Sequence, residues 1–253
     1  MSTNADMTRL RSRIAALEGG GGGGEAEHGA VPVGLPEVDA VLPWGGLACG
    51  CLHEVAGRRH GDGIPDGAAV AFSAFLLGRL VAQAGKPVLW IGGDGEAYAP
   101  GLAALGLSPS HVVMVRPHKP AQVLWAMEEG LRCRALAGVL AESWALDLTA
   151  ARRLQLAARA SGVPALVLNH GEATGVAVTR WRVGASPSRS DPALGVGAWC
   201  WQVELLRCRG RGVDDRGLVG LWHVEWNDET RGLRLAAPAG DRAAAPQRLR
   251  AAG

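Results

Sequence analysis

Lysine is almost absent from this chain: of 26 basic residues, only Lys86 and Lys119 are lysines. Each stands just before a later predicted strand or helix, away from the glycine-rich stretch described below. A working phosphate loop needs Gly, four residues and then Gly-Lys-Ser/Thr, because the ammonium meets the β- and γ-phosphates and the hydroxyl holds magnesium. The shortage of lysine therefore argues against nucleotide hydrolysis. Cysteine is sparse and odd in number, at five. Cys49 and Cys51 stand too close for an ordinary disulfide, and no CxxC pair suggests zinc, so reduced thiols in a cytoplasmic protein are expected. No metal is expected, because the histidines and cysteines show no ligand spacing. No apolar run reaches the ~18 residues of a membrane span, and the opening MSTNADMTRLRSRIAALE lacks the apolar centre of a secretory signal. A net charge of +2 by itself predicts no nucleic-acid binding. Tyrosine and phenylalanine number one and two against nine tryptophans, an imbalance for which core filling is the sole reading the sequence offers.

What is present is organised around Trp44 to Leu80, WGGLACGCLHEVAGRRHGDGIPDGAAVAFSAFLLGRL. It predicts an apolar strand over Cys51 to Val55, a glycine-rich loop from Gly57 to Gly67 and a helix from Ala68 to Ala84. Strand, glycine-rich turn and helix are the parts of a phosphate cradle, in which amides at the helix start face an anion. The chemistry is missing. Counted from Gly57, the Gly-Lys-Ser/Thr places fall on Asp62, Gly63 and Ile64; with Gly67 as the second glycine they fall on Ala68 and Ala69. The degenerate loop comprises Gly57, Arg58, Arg59, His60, Gly61, Asp62, Gly63 and Gly67. The expectation is a nucleotide-binding fold without the residues that hydrolyse a nucleotide.

Elsewhere, Leu10, Ile14 and Leu17 form one stripe of a short helix over residues 1–18, with Arg13 beside it. Such a helix is marginal alone and must dock, either on its own domain or on a partner. Residues 19–29 form a glycine-rich linker, and the main domain is expected over 30–236. Strands are predicted at Lys86 to Ile91, His111 to Val115, Gly138 to Ala141 and Pro164 to Leu168, with helices at Tyr98 to Leu105, Pro120 to Arg134 and Leu148 to Ala160. Short apolar strands alternating with helices give right-handed βαβ crossovers and a buried parallel sheet. After Val176 the text turns to alternating TRWRV, WCWQVELLRCRGR and LVGLWHVEW, with a last short strand at Gly232 to Leu235. These predict antiparallel strands closing one edge. The fold class is thus α/β, a mainly parallel sheet with helices on both faces. The tail over 237–253 is expected to be disordered.

The blocks RLRSRIAALE, GLPEVDAVLPWGGLACGCLHEVAG, PALVLNH, TRWRV, WQVELLRCRGRG and LWHVEW resemble, in order, the ImuA family of RecA-like accessory proteins of damage-inducible mutagenesis cassettes, members of which are also labelled SulA-like. The resemblance implies a RecA-like core and a non-hydrolytic role in translesion synthesis. It also implies binding to a Y-family-like adaptor of the ImuB type and, through it, to an error-prone replicative-type polymerase, with RecA and single-stranded DNA as further partners and no cofactor. Leu10, Arg13, Ile14, Leu17, Leu35, Val38 and Leu42 occupy the region where RecA-type subunits grip neighbours, so they are the expected partner contacts.

Set beside the same pattern, Asp94 and Glu96 stand where a RecA-type enzyme has its general-base glutamate, and Glu142 where it has a magnesium-positioning aspartate. Without the lysine and loop hydroxyl these are read as structural or vestigial. Asn169 matches a polar residue that senses the terminal phosphate. Arg180, Arg182, Arg207, Arg209 and Arg211, with tryptophans nearby, suit phosphate contact and base stacking. Alternate arginines are equally the solvated face of a protected edge strand. Two rival functions stay open, a divergent ATP-binding recombinase paralogue and an inhibitor of cell division.

Overall fold

The computed structural model describes residues 27–58, 66–92, 97–143, 146–169, 173–188 and 197–236. The stripe Leu10, Arg13, Ile14 and Leu17, most of the linker, the loop residues Arg59 to Gly63, the acidic pair Asp94 and Glu96, and the tail from 237 lie outside the described residues.

A small antiparallel pair, β1 (Ala30–Val31) and β2 (Leu47–Ala48), brackets the short helix α1 (Pro36–Asp39). The Asp39 carboxylate closes this entry by accepting the amides of Val33 at 2.8 Å and Gly34 at 3.0 Å. The stripe Leu35, Val38 and Leu42 is spent here: all three are buried in the chain's own core. They are therefore not partner contacts, which corrects the expectation from sequence. An apolar stripe reads alike whether its cover is its own sheet or another protein.

The main sheet has nine strands in the order β11-β10-β9-β8-β3-β7-β6-β4-β5. In chain order these are β3 (Leu52–Gly57), β4 (Val88–Ile91), β5 (Val112–Val115), β6 (Gly138–Ser143), β7 (Ala165–Asn169), β8 (Thr179–Ser186), β9 (Cys200–Cys208), β10 (Gly220–Asn227) and β11 (Gly232–Leu235). From β5 to β8 every pairing is parallel; from β8 to β11 every pairing is antiparallel. β8 is consequently an interior strand, so its arginines do not guard an edge. Strand order is set by long-range contacts, and a strand with one polar face reads identically inside a sheet or at its margin.

Helix α2 (Gly67–Ala84) covers one face, and Gly85 ends it in the left-handed conformation at φ 64°. By length and composition α2 could cross a membrane, but here it is the core helix, with Phe72, Phe75, Leu76, Leu77 and Leu80 all buried in the main core. The short α3 (Ala99–Ala104) packs beside it. Helices α4 (Pro120–Arg132) and α5 (Leu148–Ser161) lie together over the opposite face, on Leu89, Ile91, Val139, Ala165 and Val167. Alternate strand residues feed the two cores, as the period of two demands.

Core filling is what several of the tryptophans do. Trp181, Trp222, Trp226 and Trp199 join both phenylalanines in an aromatic cluster between α2 and the antiparallel strands. Ring centroids are 5.7 Å apart for Phe72 and Trp181, 6.0 Å for Phe75 and Trp226, and 6.4 Å for Trp181 and Trp222. Trp199 lies 6.5 Å from Trp226. Under the antiparallel strands the rings of this cluster pack on α2 and fill the core there.

A polar chain threads this core. Fully buried His53 points Nε2 at the Ala48 carbonyl, 2.8 Å away, so Nε2 carries the proton and Nδ1 accepts from the Thr179 hydroxyl at 2.7 Å. Thr179 in turn accepts from Trp181 Nε1 at 2.9 Å. Burial drives the imidazole pKa down to about 4, opposed by the Ala48 bond. The unfolded chain thus takes up a proton near pH ~6.5 that the folded chain refuses until about 4. Stability should be full above the unfolded value and fall between these limits as the pH drops, by roughly 3 kcal/mol. Urea titrations of wild type and His53→Gln at pH 7 and 4.5 measure it; an equal decline in both would exclude His53 as the source.

Candidate functional site

The carboxyl ends of β3, β7, β6 and β4 come together along one margin, as the parallel pairing requires, and in open α/β sheets this is where ligands bind. At its centre β3 ends in Gly57, with Arg58 following, and α2 begins at Gly67. Asp66 closes the gap. Its Oδ1 accepts the Ala68 amide at 3.0 Å and its Oδ2 the Arg58 amide at 3.3 Å. A carboxylate of the chain itself therefore sits at the helix start, where a phosphate cradle presents its amides. Gly57 makes room for it: a Cβ there would lie 2.3 Å from Asp66 Cβ.

The Arg58 side chain leaves this loop and runs across Gly184, where a Cβ would meet its Cδ at 2.4 Å. It donates to Gln202 Oε1 at 2.7 Å and comes within 3.9 Å of Glu204. Glu204 is nearly buried and also accepts from Arg182 Nε at 2.5 Å and Gln202 Nε2 at 2.7 Å. Arg58 of the degenerate loop and Arg182 of the arginine-rich strand are thereby both held by one internal carboxylate.

The remaining arginines are tied up as well. Arg180 Nε stands 3.8 Å from Glu54, a buried carboxylate that also accepts from the amide and hydroxyl of Thr174. Arg207 donates to the Gly175 carbonyl, Arg209 to that of Val176 at 3.0 Å, and Arg211 reaches that of Ala40 at 3.4 Å. Arg207 and Arg209, together with Glu54 through Thr174, thus fasten the short segment after β7 to the sheet. Each of the five arginines has a structural reason that needs no nucleic acid.

The other strand ends behave similarly. Glu142 is buried, accepts Trp90 Nε1 at 3.0 Å, and crowds Gly92 so closely that a Cβ there would lie 2.5 Å from its oxygen. It satisfies a buried indole. Asn169 is buried at the end of β7, opposite Ser143. Among the described residues no three His, Cys, Asp or Glu side chains converge on a possible metal position.

Sequence reasoning missed Asp66, Glu54 and Glu204. An aspartate just before a helical run is an N-cap signal and could have revealed the first. The others announce themselves only as lone carboxylates inside apolar strands, with partners more than a hundred residues away for Glu54.

The mainly parallel nine-stranded sheet, flanked by helices and extended by an antiparallel margin, is a RecA-like fold. The RadB recombinase shares the architecture, with a TM-score of 0.56 at 15% identity, over 82% of this chain and all of that one. No family model matches the chain. Protein ImuA of Caulobacter vibrioides, in strains NA1000 and ATCC 19089, is 34% identical over 215 residues, spanning 79% of this chain and 84% of the relative. The chain belongs to the ImuA family, and with its RecA-like core it is a RecA-like protein of the translesion-cassette kind.

Proposed function

We propose that this chain is a non-hydrolytic accessory protein of SOS-induced translesion DNA synthesis, acting in the cytoplasm to bridge a Y-family-like adaptor and an error-prone replicative-type polymerase. The observation that carries the non-hydrolytic part is the Asp66 carboxylate at the start of α2. A triphosphate entering there would meet a fixed negative charge in place of a lysine ammonium. A motor that polymerises on DNA needs nucleotide at its subunit interfaces, whereas a protein that joins two partners needs only surfaces. Family membership supports the setting in mutagenesis.

Deletion of the gene should abolish damage-induced mutagenesis while leaving cell shape normal. The full-length chain should co-purify with the adaptor and polymerase, and a chain beginning at residue 25 should lose one of them. Filamentous cells on overexpression, with mutagenesis unchanged on deletion, would instead establish a division inhibitor.

A further inference from the structure

Helices α4 and α5 present an outer surface that the core does not use. Between them runs a groove of about 500 Å³, bordered by Arg132, Arg134, Arg153, Glu128 and Leu156. Their inner faces bury Met127, Leu131, Ala151 and Leu154 against the sheet. Their outer faces leave Trp125 65%, Leu156 67% and Leu148 46% exposed. Single exposed apolar side chains are ordinary; three of the eight large ones among the described residues fall on these two paired helices. Exposed apolar surface rimmed by charge marks an interaction site.

The rim has one sign in surplus. Arg153 of α5, Arg132 at the end of α4 and Arg134 just beyond it line the groove, and α5 adds Arg152 and Arg159 on the same helix without an acidic residue. Against them stand Glu128, paired with Arg153 at 2.7 Å, Glu129, paired with Arg132, and Glu27, 3.9 Å from Arg159. We propose that this groove docks an acidic segment of a partner protein, whose carboxylates meet the arginines and whose apolar side chains cover Leu156 and Trp125.

The chain's own ends do not fit that description. Residues 1–26 hold three carboxylates against three arginines, and residues 237–253 hold Asp241 against Arg242, Arg248 and Arg250. A second copy would bring the same positive face. A nucleic acid would answer the arginines but leave Leu148 and Leu156 uncovered.

The test is a displayed library of short acidic peptides, each carrying two apolar residues, panned on the full-length protein. Enriched peptides should bind in the micromolar range by fluorescence anisotropy. Leu156→Glu and Arg153→Glu, both at exposed positions, should each weaken that binding about tenfold or more, with unchanged circular dichroism. Val213→Glu, on the distant β9–β10 turn, should bind as wild type. No enriched peptide, equal binding by an all-acidic peptide lacking apolar residues, or indifference to both groove variants would overturn the proposal. So would single-stranded DNA that binds the groove and loses affinity in the same variants. None of these outcomes depends on whether the protein acts in translesion synthesis.

Discussion

Trp181→Ala is expected to cost about 3–5 kcal/mol, the range for emptying a buried aromatic site. Trp181 is fully buried at the junction of the parallel and antiparallel halves of the sheet, 5.7 Å from Phe72 and 6.4 Å from Trp222. Its removal opens a cavity that the two neighbouring rings, Phe72 and Trp222, cannot close without leaving their rotamers. It also removes the Nε1 donor of Thr179 and so loosens the chain of hydrogen bonds reaching His53. Domains of this kind are held by only about 5–15 kcal/mol in total, so the variant should be close to unfolding. Urea midpoints should fall steeply with little change in slope, and Trp181→Phe should recover part of the loss. A cost under about 1 kcal/mol would mean that the cluster is not the hub of the core.

The second large effect concerns the buried pair between Glu54 and Arg180. Glu54→Leu should cost about 3 kcal/mol, since it strands a mostly buried guanidinium and leaves the Thr174 amide and hydroxyl without their acceptor. The Arg180 Nε already lacks a hydrogen bond, and its link to Glu54 is a charge contact at 3.8 Å. Arg180→Met alone should be similarly damaging, because an unpaired carboxylate would remain on an interior strand. Combining the two changes should restore much of the loss, as apolar replacements of buried ion pairs do. A double-mutant cycle in urea measures this coupling; simple additivity of the two costs would show that the residues stabilise the fold independently.

How far the sequence discloses such a protein can be judged from individual elements. The alternation of short apolar strands with longer helices was plain, and α2, α4, α5 and β11 fall within a few residues of their expected ends, because helix and strand periods are local properties. The helix expected to end at Ala84 does end there, and Gly85 follows as its left-handed cap. The order of strands was not recognisable. TRWRV has identical alternation whether it borders solvent or, as here, β3 and β9. Leu35, Val38 and Leu42 looked like a docking stripe, and the docking proved to be internal. Asp39, noted only as part of a family signature, closes a turn through two amides.

The candidate site was legible chiefly as a gap. Missing lysine and hydroxyl residues could be counted, but what replaced them depended on tertiary placement. Arg58 and Arg182 meet at Glu204 across three different strands or their ends, and Asp66 turns back toward Gly57. The arginine-rich strands suggested an external anion; the carboxylates that actually receive them were hidden in apolar text.

Equilibrium titration of the pure full-length protein with a fluorescent ATP analogue and magnesium addresses the central claim most directly. The account predicts no saturable binding at micromolar concentrations and no phosphate release, because the helix start is already held by the Asp66 carboxylate. Micromolar affinity, or phosphate released in proportion to protein, would contradict it.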